Sequence, residues 1–194
     1  WDNKGENGEN DWTTSALQII LNSGAYYNRT SGDCPFGQNG VTTTCDFSAT
    51  GLTSEAKSMI SNALWNLGGS DYDNVTPTMF YERERGIKVY SGRPTEWIGQ
   101  IGLMYPSDYG YATSGGSTGR DTCLSYSIVS WSNYTDCYND DWLYKGLNQW
   151  TVTSGVLGTD DVFATDIDSG RFHGYSAWNT RMIFPATYLS SSIK

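Results

Sequence analysis

The longest apolar and aromatic run with few charges lies within Gly92–Thr113, near the middle of the chain. From Trp97 to Tyr105 one parity reads Trp, Gly, Ile, Leu, Tyr and the other reads Ile, Gln, Gly, Met. Apolar residues at both parities predict a strand that is buried on both faces. Gly99 and Gly102 have no side chain, so a large ring or another backbone can approach closely there. We expect this strand to be the centre of the fold, with a turn after it at 106–110.

Spacings of three and four residues predict two helices before this strand. The first covers 12–21 and is capped by Asn10 or Asp11. The second covers 52–67, with Thr53 as N-cap and Glu55 in the first turn, where the helix dipole favours an acidic side chain. Its apolar face, which we expect to pack on the central strand, consists of Leu52, Ala56, Met59, Ile60, Ala63, Leu64 and Leu67.

The last third of the chain is predicted to form short strands. One hairpin joins 142–144 to 149–153, and another joins 162–167 to 171–175 through a turn that ends in Gly170. A final strand covers 182–189. Before the last third, 80–90 is predicted as a solvated charged run followed by a short strand, and 121–131 as a short helix. The predicted class is α+β.

The four cysteines occur as two close pairs, Cys34 with Cys45 and Cys123 with Cys137, each within a polar, turn-rich segment. The sequence has no Cys-x-x-Cys or His-Glu-x-x-His motif and a single histidine, which argues against a tetrahedral zinc site. We predict two local disulfides formed in an oxidising compartment. Other pairings remain open at this stage.

Composition limits the partners of the chain. Its 194 residues suffice for one domain with a full core, and its formal net charge is −9. Such a charge argues against binding nucleic acid or anionic lipid, because proteins bind both through clustered Lys and Arg. The chain starts at Trp1 and contains no apolar run of membrane-spanning length. We expect one domain, 1–194, excised from a longer extracellular protein at a cell surface.

Three stretches, 10–22, 97–113 and 140–194, resemble exported, prepilin-like surface proteins of Gram-positive gut bacteria that carry a C-type-lectin-like domain related to formylglycine-generating enzymes. The resemblance implies two helices packed on a central, mostly antiparallel sheet, with a loop-rich β second half. It also implies an upstream strand that would pair with 182–189. The closing segment Met182-Ile183-Phe184-Pro185 departs from the family pattern Gly-Val-Arg-Pro, with Arg181 displaced.

The motifs favour binding over catalysis. There is no Gly-x-Ser-x-Gly elbow and no phosphate-binding loop, and we interpret the lone His173 as structural. We interpret the four cysteines as disulfides that close loops. The cysteine oxidation chemistry of formylglycine-generating enzymes is therefore not expected here. Tyr, Trp, Ser, Gly and Asn in loops are the residue types of adaptable binding surfaces. We therefore predict a non-catalytic module that binds a glycan or a host or bacterial surface protein, through Asp108, Tyr109, Tyr111, Trp131, Tyr134, Tyr138, Trp150, Tyr175 and Trp178, about half of which we expect to be core.

Calcium is a candidate cofactor, because carboxylate oxygens are the ligands that it prefers. The candidate ligands flank the predicted surface and are Asp140, Asp141, Asp166 and Asp168, with Asp160 and Asp161 beside them. An N-terminal calcium loop, 1–11, is the weaker candidate. A second functional hypothesis is a structural subunit of a type IV pilin-like surface filament, in which copies of the chain associate with one another.

Overall fold

The computed structural model describes residues 1–191 and has a mixed α+β architecture of short helices and small antiparallel sheets. The helices are α1 (Ala16–Asn22), α2 (Ala25–Asn28), α3 (Ser54–Met59), α4 (Pro77–Glu84), α5 (Pro106–Ala112), α6 (Arg120–Ser125) and α7 (Thr135–Asn139). The strands are β1 (Ser31–Pro35), β2 (Thr42–Asp46), β3 (Ala63–Asn66), β4 (Glu96–Gly99), β5 (Ile101–Leu103), β6 (Trp150–Ser154), β7 (Asp161–Thr165), β8 (Phe172–Ser176) and β9 (Pro185–Thr187). They pair as β1-β2, β3-β4, β5-β9 and β6-β7-β8.

The sheet β6-β7-β8 lies between two hydrophobic clusters. In β7, Val162 and Ala164 belong to the first cluster, whereas Phe163 belongs to the second. Successive side chains of a strand point to opposite faces, so one strand contributes to both clusters. All five residues of β6 are buried as well. β6 and β7 are therefore buried on both faces.

The predicted central strand is present only in part, because it divides at Gln100 into β4 and β5. β5 is fully buried and pairs with β9, but Ile98 in β4 is 70 % exposed. Within residues 1–191, β4 pairs only with β3, and the face of this ribbon that carries Leu64 and Ile98 is open to solvent. Close packing at Gly102 is confirmed, since a Cβ atom there would lie 2.6 Å from the ring of Trp65.

The prediction for 106–110 is wrong, because this segment begins α5 rather than forming a turn. Pro106 occupies the start of the helix, where the missing N–H costs nothing. The carboxylate of Asp108 accepts a hydrogen bond from the Tyr105 backbone N–H at 3.0 Å. These two residues turn a loop-like sequence into a capped helix.

The first predicted helix is confirmed in two pieces. Asp11 accepts a hydrogen bond from the Thr13 N–H and begins a 3₁₀ turn over Trp12–Thr14. Ser15 then caps α1, which ends at Asn22. The side chains of Trp12, Leu17 and Leu21 enter the first cluster, so the apolar spacing identified the buried face.

The second predicted helix is wrong beyond Met59. Thr53 caps α3 as expected, but the backbone of Ile60 bridges to Leu189 and the chain continues as β3. Leu64, expected in the core, is 51 % exposed, while Trp65 is buried. The apolar spacing of this segment is compatible with both the helical period and the strand period. Backbone pairing with β4 and with the 188–190 segment stabilises the strand.

The charged run 82–85 lies at the end of α4 and is not uniformly solvated. Glu84 is 0 % exposed, and its carboxylate accepts hydrogen bonds from the backbone N–H and the hydroxyl of Ser107. Ile87–Tyr90 forms no strand. Predicting the run as solvated was wrong at Glu84, since α4 and α5 pack together and enclose that side chain.

In the last third, the predicted hairpin around Gly170 is confirmed as β7 and β8, with φ of +57° at that glycine. The hairpin predicted from 142–144 and 149–153 is wrong, because 142–144 lies in turns and β6 pairs with β7 instead. The final segment supplies β9, which pairs with β5.

Both predicted disulfides are present. Cys34–Cys45 joins β1 to β2, and Cys123–Cys137 joins α6 to α7 within the second cluster. Over residues 1–191, no helix has both the length and the apolar character needed to span a bilayer.

Candidate ligand-binding surface

Three of the predicted contact residues are core residues. Tyr109, Trp131 and Trp150 are all buried, and the Tyr109 hydroxyl donates to the Gly170 carbonyl at 2.8 Å. Burial raises the pKa of Tyr109 above its usual range. A side chain enclosed in this way has no face to offer a ligand, so the expectation that these three form contacts is corrected. Their large apolar surfaces stabilise the packing within the two clusters.

Tyr134 and Tyr138 are half-buried around the second cluster. The Tyr134 ring stacks on Tyr126 with centroids 3.8 Å apart. The Tyr138 ring lies beneath Gly170 and meets Tyr144 edge to face at 5.3 Å. Both rings have one face occupied by the protein, so they support the loops rather than forming a shared surface with the other predicted residues.

Two predicted residues, Asp108 and Tyr111, face a common open hollow of about 480 Å³. Both are carried by α5, and the same hollow is lined by Trp142, which is 69 % exposed. We call Asp108, Tyr111 and Trp142 the aromatic shelf. The hollow is completed by apolar side chains, Met104, Ala112, Leu143 and Ala186.

The aromatic shelf is held by contacts behind it. The Tyr111 hydroxyl lies 3.0 Å from the Thr78 hydroxyl, and its ring meets Tyr81 edge to face at 6.4 Å. One oxygen of Asp108 accepts from Tyr105 N, which leaves the second oxygen able to accept from a ligand. Partial desolvation raises the pKa of Asp108, and the Tyr105 hydrogen bond opposes that rise.

Sequence reasoning missed Trp142 as a surface residue. The interpretation of 142–144 as a strand assigned its ring to a sheet, whereas the segment is a turn between α7 and β6. The available signal was its position directly after Asp141, since an aspartate side chain can accept a hydrogen bond from the backbone two residues on and so favours a turn.

The last two predicted residues, Tyr175 and Trp178, lie with Arg181 and not on the aromatic shelf. The Arg181 guanidinium is 3.5 Å from the Tyr175 ring centroid. Trp178 lines a separate hollow of about 120 Å³ with Arg181. The residues predicted as one surface are thus divided among the core and two hollows.

The aspartates proposed for calcium occupy two different places. Asp141 is 4 % exposed, and burial raises its pKa to about 7, although the Leu143 N–H donates to it at 2.8 Å. Asp140 is exposed. Asp166 pairs with Arg171 at 3.5 Å, and Asp168 is exposed in the β7–β8 turn. Within residues 1–191, no three His, Cys, Asp or Glu side chains converge as a metal site requires, so the calcium prediction gains no ligand set here.

The arrangement that most resembles catalytic machinery is Ser107 against Glu84. Burial raises the pKa of Glu84 to about 7, the range of a general base, and its carboxylate accepts the Ser107 hydroxyl proton in a hydrogen bond. Both side chains are nevertheless enclosed, at 1 % and 0 % exposure. A substrate therefore has no access to the serine, and the pair joins α4 to α5.

No protein-family model, no curated protein and no solved structure matches this chain.

Proposed function

We propose that this chain is an extracellular, non-catalytic binding module whose aromatic shelf binds a glycan. The fold that we propose for it is C-type-lectin-like, on the resemblance of the three stretches named above. The observation that carries the proposal is that the exposed Trp142 lines one hollow together with Tyr111 and Asp108. Two disulfides and a strongly acidic surface fit an extracellular location.

The shelf has the chemistry that a sugar ring requires. An aromatic face carries partial negative charge, which attracts the polarised C–H groups on one side of a pyranose. The free oxygen of Asp108 accepts hydrogen bonds from ring hydroxyls, and a charge-assisted bond of this kind is stronger than a neutral one. The hollow is open and shallow, so we expect weak affinity that multivalent display would increase.

A glycan array probed with the purified domain tests the proposal. We expect signal for a restricted group of neutral or basic sugars, because Asp108 would repel anionic ones. Trp142→Ala and Asp108→Asn should each remove that signal. The melting temperature of Trp142→Ala should change little, since Trp142 is exposed.

Leu157→Ala is the matched control, because Leu157 is also an exposed apolar residue in a turn and lies outside the shelf. It should bind like the unmodified chain. Unchanged array binding by Trp142→Ala would rule out the aromatic shelf as the site.

The alternative function is a filament subunit, and one observation favours it. Leu64 and Ile98 are direct cross-strand neighbours in the β3–β4 ribbon and are 51 % and 70 % exposed. An exposed apolar pair on a two-stranded ribbon suits contact between copies. Sedimentation and electron microscopy that show concentration-dependent assembly, abolished by Leu64→Glu, would support the filament over the module.

A further inference from the structure

A groove separate from the aromatic shelf lies between α1, the β1–β2 hairpin and the segment before β9. Its volume is about 290 Å³. Its walls are apolar side chains from three parts of the chain, among them Leu17, Ile20, Leu21, Pro35, Phe47 and Ile183. Small-molecule sites are mostly apolar clefts of this order of size with a few polar groups at one end. We call this the apolar groove.

The smaller hollow of about 120 Å³ beside Trp178 adjoins the apolar groove. Trp1, Pro35 and Ile183 line both, so the two spaces lie side by side along these three residues. The smaller hollow has more polar residues in its lining than the apolar groove has, and Arg181 supplies its cation. We call it the polar hollow. Together the two spaces form one cleft with an apolar body and a cationic end.

Arg181 is a cation without an acidic partner. No Asp or Glu oxygen of residues 1–191 lies within 4.0 Å of its guanidinium. It packs instead on Tyr175, and its buried Nε has no hydrogen-bond acceptor. Asp166 is engaged by Arg171. Asp166 still attracts the Arg181 guanidinium from beyond 4.0 Å. A half-buried guanidinium with no carboxylate at ion-pair distance, in a chain of net charge −9, favours an incoming anion.

Among residues 1–191, Asp2 supplies the carboxylate that lines the polar hollow, and its oxygens already have hydrogen-bond donors. Asp2 is buried, and its two oxygens accept from the backbone N–H groups of Glu9 at 3.2 Å and Ala16 at 3.1 Å. These bonds give each carboxylate oxygen a donor within the protein. Asp2 therefore fixes the floor of the hollow and leaves the Arg181 guanidinium to a ligand.

We propose that this cleft binds an aliphatic carboxylic acid, with the alkyl chain in the apolar groove and the carboxylate on Arg181. The planar guanidinium matches a carboxylate through two parallel hydrogen bonds. The apolar walls remove the alkyl chain from water, and each methylene so buried contributes about 0.8 kcal/mol. This site is independent of the aromatic shelf.

Octanoate is the probe, titrated against the intact chain by isothermal calorimetry or ligand-observed NMR. We expect saturable binding that strengthens about fourfold for each methylene added from hexanoate to octanoate. Octanol, which has the same chain without the charge, should bind at least about tenfold more weakly. Equal affinities for octanoate, octanol and octylammonium would show that Arg181 does not recognise the carboxylate, and would overturn the proposal.

Two variants separate loss of the site from loss of the fold. Arg181→Gln should weaken octanoate binding about tenfold or more and leave octanol unchanged. Ile183→Glu places a carboxylate where the two spaces meet, at an exposed position that should not affect folding. It should abolish octanoate binding, whereas the control Ile87→Glu, at a more exposed residue outside both spaces, should not.

The proposal fails if octanoate does not bind saturably, or if both Arg181→Gln and Ile183→Glu bind it within twofold of the unmodified chain. Tighter binding of N-acetyl-trileucine than of octanoate would assign the cleft to a peptide terminus and would likewise overturn it.

Discussion

Glu84 is an ionisable side chain in a place where its charge is costly. It is fully buried, and burial raises its pKa from the usual 4.5 to about 7 despite two hydrogen bonds from Ser107. Asp108 nearby acts in the same direction, and Arg85, whose guanidinium is 3.4 Å from the carboxylate, opposes it. Asp141 is a second carboxyl of this kind.

The raised pKa of Glu84 predicts that the protein loses stability as pH rises. Below pH 4.5 the carboxyl is protonated in both states, while between 4.5 and about 7 only the unfolded state releases the proton. The free energy of unfolding should therefore fall across that window, by roughly 3 kcal/mol from this group. Glu84→Gln should flatten the urea-unfolding profile between these pH values.

Glu82→Gln is the control, because it makes the same change at an exposed position of α4. It should leave the slope intact, and Asp141 should leave part of the slope in Glu84→Gln. A pH profile of Glu84→Gln that matches the unmodified chain would contradict the assignment of the slope to Glu84.

At the scale of elements, local sequence signals identified where helices begin better than how far they continue. Thr53 and Asp11 were recognisable caps, because a side-chain oxygen beside an apolar run satisfies free N–H groups whatever the tertiary context. The end of α3 was not recognisable. It depends on Ile60 pairing with Leu189, about which the local sequence carries no information.

The end of the helix at Met59 can be tested by comparing the free energies of unfolding of two leucine variants. Leu64→Ala should change the free energy of unfolding by less than about 0.5 kcal/mol, as for a surface position. Leu103→Ala in buried β5 should cost about 2–5 kcal/mol, since it leaves a cavity in the first cluster. Chemical denaturation of both variants provides the comparison.

If the two variants lost equal free energy of unfolding, or if Leu64→Ala lost more, Leu64 would be a core residue. That result would contradict β3 and favour the continuous helix. Leu64→Thr refines the test. A β-branched residue is favoured in a strand and disfavoured in a helix, so this variant should be close to neutral.

The candidate site shows the same limit on inference from sequence. Composition indicated aromatic contact residues, but the same rings fill cores, and only packing separates Tyr111 from Tyr109 two positions earlier. Residues two apart on a helix point in different directions. Trp142 and Arg181 join their sites through contacts between segments far apart in the chain, so neither site could be assembled from spacing.

At the scale of the whole molecule, the sheet β6-β7-β8 is shared by both clusters. Val162 packs in the first and Phe163 in the second, and both are fully buried. The β1–β2 hairpin is mostly exposed and is closed by Cys34–Cys45. A shared sheet predicts that the two clusters unfold together, as one cooperative unit, while the hairpin opens locally.

Hydrogen exchange of Phe163→Ala tests this cooperativity. Loss of the ring should cost about 3–5 kcal/mol. It should lower protection equally in β5, which faces the first cluster, and in the 3₁₀ turn Ile128–Asn133, which carries Trp131 into the second. Amides of the β1–β2 hairpin should keep their rates, since they exchange without global unfolding. Phe163→Leu provides a milder variant if the alanine form does not fold. Loss of protection confined to the second cluster would instead show two units that unfold separately, with β7 as the boundary between them.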